Sequence, residues 1–275
     1  MNNERQLHAA SVLSDGRVLV TGGLSNYAYL NSAELYNPST GICTVTGSMN
    51  NPRIYYTASV LFDGRVLVTG GNNNGALNSV ELYNLSTGLW TTTSSMSIAR
   101  QLHTASVLSD GRVLVIGGNN NGALNSVELY YSSSGTWTAT GSMNIGRYSH
   151  TASVLHDGRV LVTGGSDNNN YVNSAELYDP STETWTFTGS MNIPRNYHTA
   201  SVLSDGRVLV TGGVSGLSNF LNSAELYDPS TGIWTVTDSM NEARQLHTAS
   251  ILSDGTILVT GGFNTNYNLN SAELF

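Results

Sequence analysis

The chain has 275 residues, of which 39% are apolar and 11% charged, enough to form a globular core as one large or two ordinary domains. All 11 basic residues are Arg, against 19 Asp plus Glu. The net charge of −8 argues against nucleic acid or anionic lipid as the main partner, because both need a basic surface. Apolar runs are only strand-length, so no membrane insertion is expected. The start Met1-Asn2-Asn3-Glu4-Arg5 is not a signal peptide, and the compartment stays open. The one cysteine, Cys43, excludes an internal disulfide and a Cys-built zinc site. With 29 Gly and only five Pro, a β-rich, turn-rich chain is expected.

One unit is written six times. Arg5, Arg53, Arg100, Arg147, Arg195 and Arg244 recur at spacings of 48, 47, 47, 48 and 49 residues. Each opens the text Arg, two variable residues, usually His, then Thr-Ala-Ser-Val-Leu-x-Asp-Gly-Arg-Val-Leu-Val-Thr-Gly-Gly. A variable loop and Asn-Ser-[Ala/Val]-Glu-Leu-Tyr follow. All four Trp (Trp90, Trp137, Trp185, Trp234) share one column, which Cys43 fills in the first copy. All six Met lie four residues before a repeat Arg.

In chain order within the fourth unit, Thr151–Leu155 predicts a short first strand, and Asp157-Gly158 predicts a two-residue hairpin turn. Arg159–Thr163 is the return strand, stopped by Gly164-Gly165. Asn173–Tyr178 alternates as a third strand, and Asp179–Thr182 turns the chain into a fourth, Thr184–Thr188. Four short antiparallel strands cannot bury both faces alone, but stacked copies can, which makes each unit a β-propeller blade. The expected fold is all-β, a single six-bladed propeller domain over 1–275. Its blades run about 5–49, 50–96, 97–143, 144–191, 192–240 and 241–275, and the sixth lacks its outer strand.

The Gly-Gly doublet, the Glu-Leu-Tyr-[Asn/Asp]-Pro column, the Trp about a dozen residues beyond it and the Ser-Met…Arg junction resemble kelch repeats over essentially the whole chain. No Trp-Asp dipeptide points to WD40, and the Asp of the sialidase Asp-box is missing from every copy. Kelch rings usually close by completing one blade with strands from both termini. Here the strand at 270–275 would stay exposed, either because the chain is a fragment, the favoured reading, or because that edge is a contact site open to edge-to-edge self-association.

Columns common to all copies read first as architecture. The Arg column and the Glu column (Glu34, Glu81, Glu128, Glu176, Glu225, Glu273) predict an inter-blade ion pair or a cap on backbone carbonyls. The Gly doublets predict bulge and close-packing positions rather than a phosphate cradle. Trp fills the wedge between blades, and Cys43 is expected to be a buried small hydrophobe. His8, His103, His150, His198 and His247 form one column, with Tyr56 in its place in the second copy. Neighbouring copies would stand too far apart to share one ion, so stacking or hydrogen bonding is expected, with no metal and no cofactor. His156, in a hairpin turn, reads as solvated. No catalytic constellation is expected either. The copper oxidases on kelch propellers need a Cys–Tyr cross-link and two irregularly placed His, and a sialidase needs an acid/base Asp and a central Arg cluster.

Function is expected in the variable columns. The first is the residue pair after each repeat Arg; the second is the loop between Gly-Gly and Asn-Ser. Strand direction places both at one end of the blade, and the kelch resemblance implies that this face captures peptides. The candidate binding residues are Gln6, Tyr27, Tyr55, Asn73, Gln101, Asn120, Tyr148, Asn169, Tyr171, Tyr197, Phe220, Gln245, Phe263 and Tyr267. Tyr supplies rigid contact area and Asn and Gln adaptable hydrogen bonds. An arginine-lined pocket is not reproduced, which disfavours a strongly acidic peptide. The leading expectation is a non-catalytic module for a polar or neutral protein segment. A carbohydrate-binding propeller and a purely structural repeat segment are the alternatives.

Overall fold

The computed structural model describes every residue except Tyr27 and Asn266. Among the described residues there is no helix. The fold is a six-bladed β-propeller: five four-stranded antiparallel sheets and a sixth with three strands. Two compact units divide it, Met1–Thr140 with blades one to three and Gly141–Phe275 with blades four to six.

Blade four shows the pattern. Its strands Thr151–Val154, Val160–Thr163, Ala175–Asp179 and Thr184–Thr188 pair in chain order. The predicted strands are present, with the third beginning at Ala175 rather than Asn173. The predicted hairpin turn needs correction. Val154 pairs with Val160, Gly158 N–H donates to Leu155 O at 2.9 Å, and positive φ falls on Gly158 alone, at 85°. This is a three-residue loop with a glycine bulge, since a two-residue turn of that hand would need Asp157 at positive φ as well. In blade six the third strand, Ala272–Leu274, is outermost.

Blade stacking makes the core. In the first unit, Leu61, Leu67, Val80, Leu82 and Met96 of blade two pack with Val113, Val115 and Tyr130 of blade three. In the second, Leu161, Ala175 and Met191 pack with Val208, Val210, Tyr227 and Trp234. Each Trp lies on the Tyr of its own blade, with centroids 4.9–5.1 Å apart. Its Nε1 donates to the preceding strand-four exit: Trp90 to Gly47 O at 2.8 Å, Trp137 to Ser94 O at 2.9 Å, Trp234 to Gly189 O at 2.8 Å. Cys43, expected to be buried, is half exposed. It sits opposite Tyr36 in the register, and Tyr36 is also half exposed, while Tyr83, Tyr130, Tyr178 and Tyr227 are buried.

The charged columns act within a blade, not between blades as one expected form had it. Arg100 Nη2 pairs with Glu128 at 2.9 Å, while its Nη1 donates to Gly117 O at 2.6 Å and Ser126 O at 3.0 Å. Glu128 also accepts the N–H of Ser97 at 2.7 Å and of Ile98 at 3.2 Å. Carbonyl capping, the other expected role, is therefore combined with the ion pair. Burial pushes Glu34 up, but the N–H groups of Asn2 and Asn3 and the Arg5 guanidinium outweigh it and hold the carboxyl below its usual range. Backbone bonds also link the blades: Gly71 N–H donates to Arg100 O at 2.9 Å, and Gly165 N–H to Arg195 O at 2.7 Å. That close approach explains the glycine doublet, because a Cβ on Gly164 would lie 2.5 Å from Arg195 O, at a φ of 63°.

His103, His198 and His247 are hydrogen-bonding wedges, whereas His8 is exposed. His103 Nε2 stands 3.1 Å from Thr57 Oγ1 and 3.2 Å from Thr69 Oγ1 of the preceding blade. His198 and His247 repeat this against Thr151 and Thr163, and Thr199 and Thr211. Burial, aided by the nearby repeat arginines, lowers His103 and His198 to about 3 and His247 to about 4, so these rings are neutral. Tyr56 is the informative exception. It faces Ala9, where the other copies carry Thr, and its hydroxyl accepts Ala9 N–H at 3.1 Å, bonds Thr21 Oγ1 at 2.7 Å and donates to Thr21 O. A longer side chain replaces the hydroxyl that Ala9 lacks.

Candidate binding face

The two ends of each blade are built differently. At the hairpin end, the Asp of Asp-Gly-Arg accepts the Arg backbone N–H and pairs with its guanidinium. Asp157 with Arg159 stands at 2.7 Å, Asp63 with Arg65 at 2.6 Å and Asp205 with Arg207 at 2.7 Å. Arg17 and Arg112 pair likewise with Asp15 and Asp110. For Asp63, the Arg65 guanidinium leads in holding the carboxyl below the usual range.

At the loop end, the two variable columns meet in backbone register. Bridges join Gln6 to Leu24, Ile54 to Asn72, Gln101 to Asn119, Tyr148 to Ser166, Asn196 to Val214 and Gln245 to Phe263. The loop then returns on itself, bridging Asn72 to Ala76, Asn119 to Ala123, Ser166 to Tyr171, Val214 to Phe220 and Phe263 to Asn268. In blade one the return is the two-residue ladder Leu24–Ser25 with Ala28–Tyr29. Blades two to six thus each carry a three-position platform in the order first-column residue, loop exit, loop return.

Most candidate residues lie on or beside these platforms. Gln6 is exposed, while Gln101, Tyr148, Tyr171 and Gln245 are half-buried platform members. Asn73, Asn120 and Asn169 occupy loop tips. Their N–H groups are used locally: Asn73 donates to Gly75 O, Asn120 to Gly122 O and Asn169 to Asp167 Oδ1. Tyr267 is exposed at its loop tip, and Tyr27 lies outside the described residues. Phe220 and Phe263 are half-buried and pack edge-to-face on each other with centroids 5.9 Å apart. Ile54 and Asn196 are buried and offer no contact surface despite lying in a variable column.

Nothing in the repeat pattern signals the backbone conformation at the second residue after each repeat Arg. Leu7, Tyr55, Leu102, Ser149, Tyr197 and Leu246 all have φ of 53–56°. The left-handed conformation costs roughly 1–2 kcal/mol for a residue with a Cβ. Bonds from Leu102 N–H to Tyr55 O at 3.0 Å, and from Leu246 N–H to Tyr197 O at 3.1 Å, hold it between successive blades. Because no Gly or Asn occupies the column, composition carries no signal for it. Burial pushes the Tyr197 phenol up, and the Tyr148 and Tyr171 hydroxyls in its field add to the shift.

The chain matches the KLHDC2/KLHL20/DRC7 Kelch-repeats domain over residues 103–275 and the Kelch motif over residues 7–50 and 53–97. It belongs to the kelch-repeat family. No curated protein matches the chain. Kelch-repeat domains are in general protein-interaction modules and typically non-enzymatic.

Besides the loop ends, this kelch chain has clefts between neighbouring hairpin ends that the repeat pattern did not point to. One of about 530 Å³ is lined by His156, Asp157, Arg159, Asp205, Arg207 and Asp228. Another of about 620 Å³ is lined by Asp15, Arg17, Asp63, Arg65, Asn84 and Ser86. The Asp and Arg of each Asp-Gly-Arg turn pair with each other, and Asp228 accepts the N–H and hydroxyl of Ser230. His156 is exposed on this end. Among the described residues no group of three His, Cys, Asp or Glu stands close enough to hold a metal ion.

Proposed function

We propose that this kelch-repeat chain is a non-catalytic interaction module that holds a polar, largely uncharged protein segment on the loop ends of its blades. The observation that carries this reading is the platform register, which gathers the variable residues of two distant columns onto one surface per blade. The residues common to all copies are absorbed by packing, ion pairs and inter-blade bonds, leaving the platforms as the part that differs from blade to blade. Tyr and Asn there provide area and adaptable donors at low ordering cost. Alanine at Tyr148, Tyr197 and Phe263 should weaken binding of peptides selected from a random 12-residue array by about tenfold or more. The melting temperature should stay within about 2 °C. Unchanged affinity would contradict the assignment.

A further inference from the structure

We propose that Tyr148, Tyr171, Tyr197 and Asp167 form a seat for a basic side chain, Arg or Lys, of the bound segment. This rests on the reading that the loop ends hold a protein segment, and it names the residue that would anchor it. Through all twelve variable segments, two per blade, there is no Arg, Lys or His, and Asp167 is the single ionisable carboxyl group. The arginines are committed elsewhere. The repeat column is paired with Glu, as in Arg147 with Glu176 at 2.8 Å, and the hairpin column is paired with Asp at the opposite end of the blades. A basic side chain arriving at blade four therefore meets no mobile like charge and one carboxylate, which also lies in the field of the buried Arg147.

The three tyrosines are brought together for a structural reason. Tyr148 and Tyr171 bridge to opposite sides of the buried Ser166, so both rings leave the same face of the small sheet. Tyr197 N–H donates to Ser149 O at 3.3 Å, bringing the next blade's tyrosine alongside, and its phenol feels both other hydroxyls. Asp167 is fixed by accepting the N–H groups of Asn169 at 3.1 Å and Asn170 at 2.8 Å on Oδ1. Tyrosine faces attract a cation through the ring quadrupole, most strongly for the planar guanidinium, and the carboxylate adds charge pairing. A neutral side chain gains neither, and an acidic one is repelled. No other platform combines these groups: blade three has Gln101, Asn119 and Ala123 in the matching positions.

Blades elsewhere in the chain supply fold-compatible variants. Gln101 occupies the Tyr148 column, Ala123 the Tyr171 column and Leu246 the left-handed column of Tyr197. A random 12-residue peptide array probed with the full chain should select peptides containing Arg or Lys. Replacing that residue by citrulline or norleucine should weaken binding about tenfold. The combined variant Y148Q, Y171A, Y197L should lose a similar factor, and Asp167→Asn about threefold with a shallower salt dependence. Selected peptides that lack Arg and Lys but still depend on the three tyrosines would overturn the basic seat and leave the loop-end reading standing. Binding indifferent to every platform variant, or no peptide selected at all, would overturn both.

Discussion

The hairpin ends and the loop ends of the same blades solve opposite problems. At the hairpin ends each Asp-Gly-Arg closes on itself, so five hairpin arginines and their carboxylates are spent within their own turns. At the loop ends the backbone satisfies itself through the platform bridges and leaves the side chains free to vary. The difference shows where a repeat protein places variation: where backbone pairing alone carries the structure. The buried Arg–Glu pairs, by contrast, are the same in all six copies.

The largest effect should come from those pairs. Arg100→Ala leaves Glu128 buried without its cation and should cost about 3–5 kcal/mol in denaturant unfolding. The half-exposed hairpin residue in Arg159→Ala should cost less than about 1 kcal/mol. Equal losses would erase the distinction between the two arginine columns.

Next is pH. His103, His198 and His247 are neutral when folded, with values near 3 to 4 against about 6.5 unfolded. The unfolded chain binds more protons in that interval, so stability is full above about pH 6.5 and falls as pH drops toward 4. Each ring contributes up to roughly 1.4 kcal/mol per pH unit there. Denaturation midpoints at pH 7 and pH 5 test this, and His103→Gln should flatten the slope by about one proton.

A smaller effect isolates the exception. Tyr56→His should cost about 1–3 kcal/mol, because Ala9 offers no hydroxyl for the ring to bond. Adding Ala9→Thr should recover part of it, and a double-mutant cycle should give a coupling of about 0.5–3 kcal/mol. Smallest of all, Y148Q with Y171A should leave stability within about 0.5 kcal/mol, since blade three already carries those residues.

Much of this was legible because the repeat repeats its rare residues. Six copies of Arg, Glu and Gly-Gly, with four Trp in one column, marked the blades, and strand direction alone placed both variable columns at one end. Three things were not legible, each for a physical reason. Asp157-Gly158 reads equally as a two-residue or a three-residue loop, and only the pairing of Val154 with Val160 decides. The left-handed column holds Leu, Tyr and Ser, so no residue type announces its φ. The burial of Asn196 and the mutual packing of Phe220 and Phe263 are tertiary facts without a sequence period.

The most direct test of the division between the two ends is hydrogen–deuterium exchange of the full chain with and without a saturating array-selected peptide. The account predicts new protection in 148–149, 166–172 and 196–197, with the hairpins at 156–158 and 204–206 unchanged. Protection confined to those hairpins and the cleft between them would contradict it.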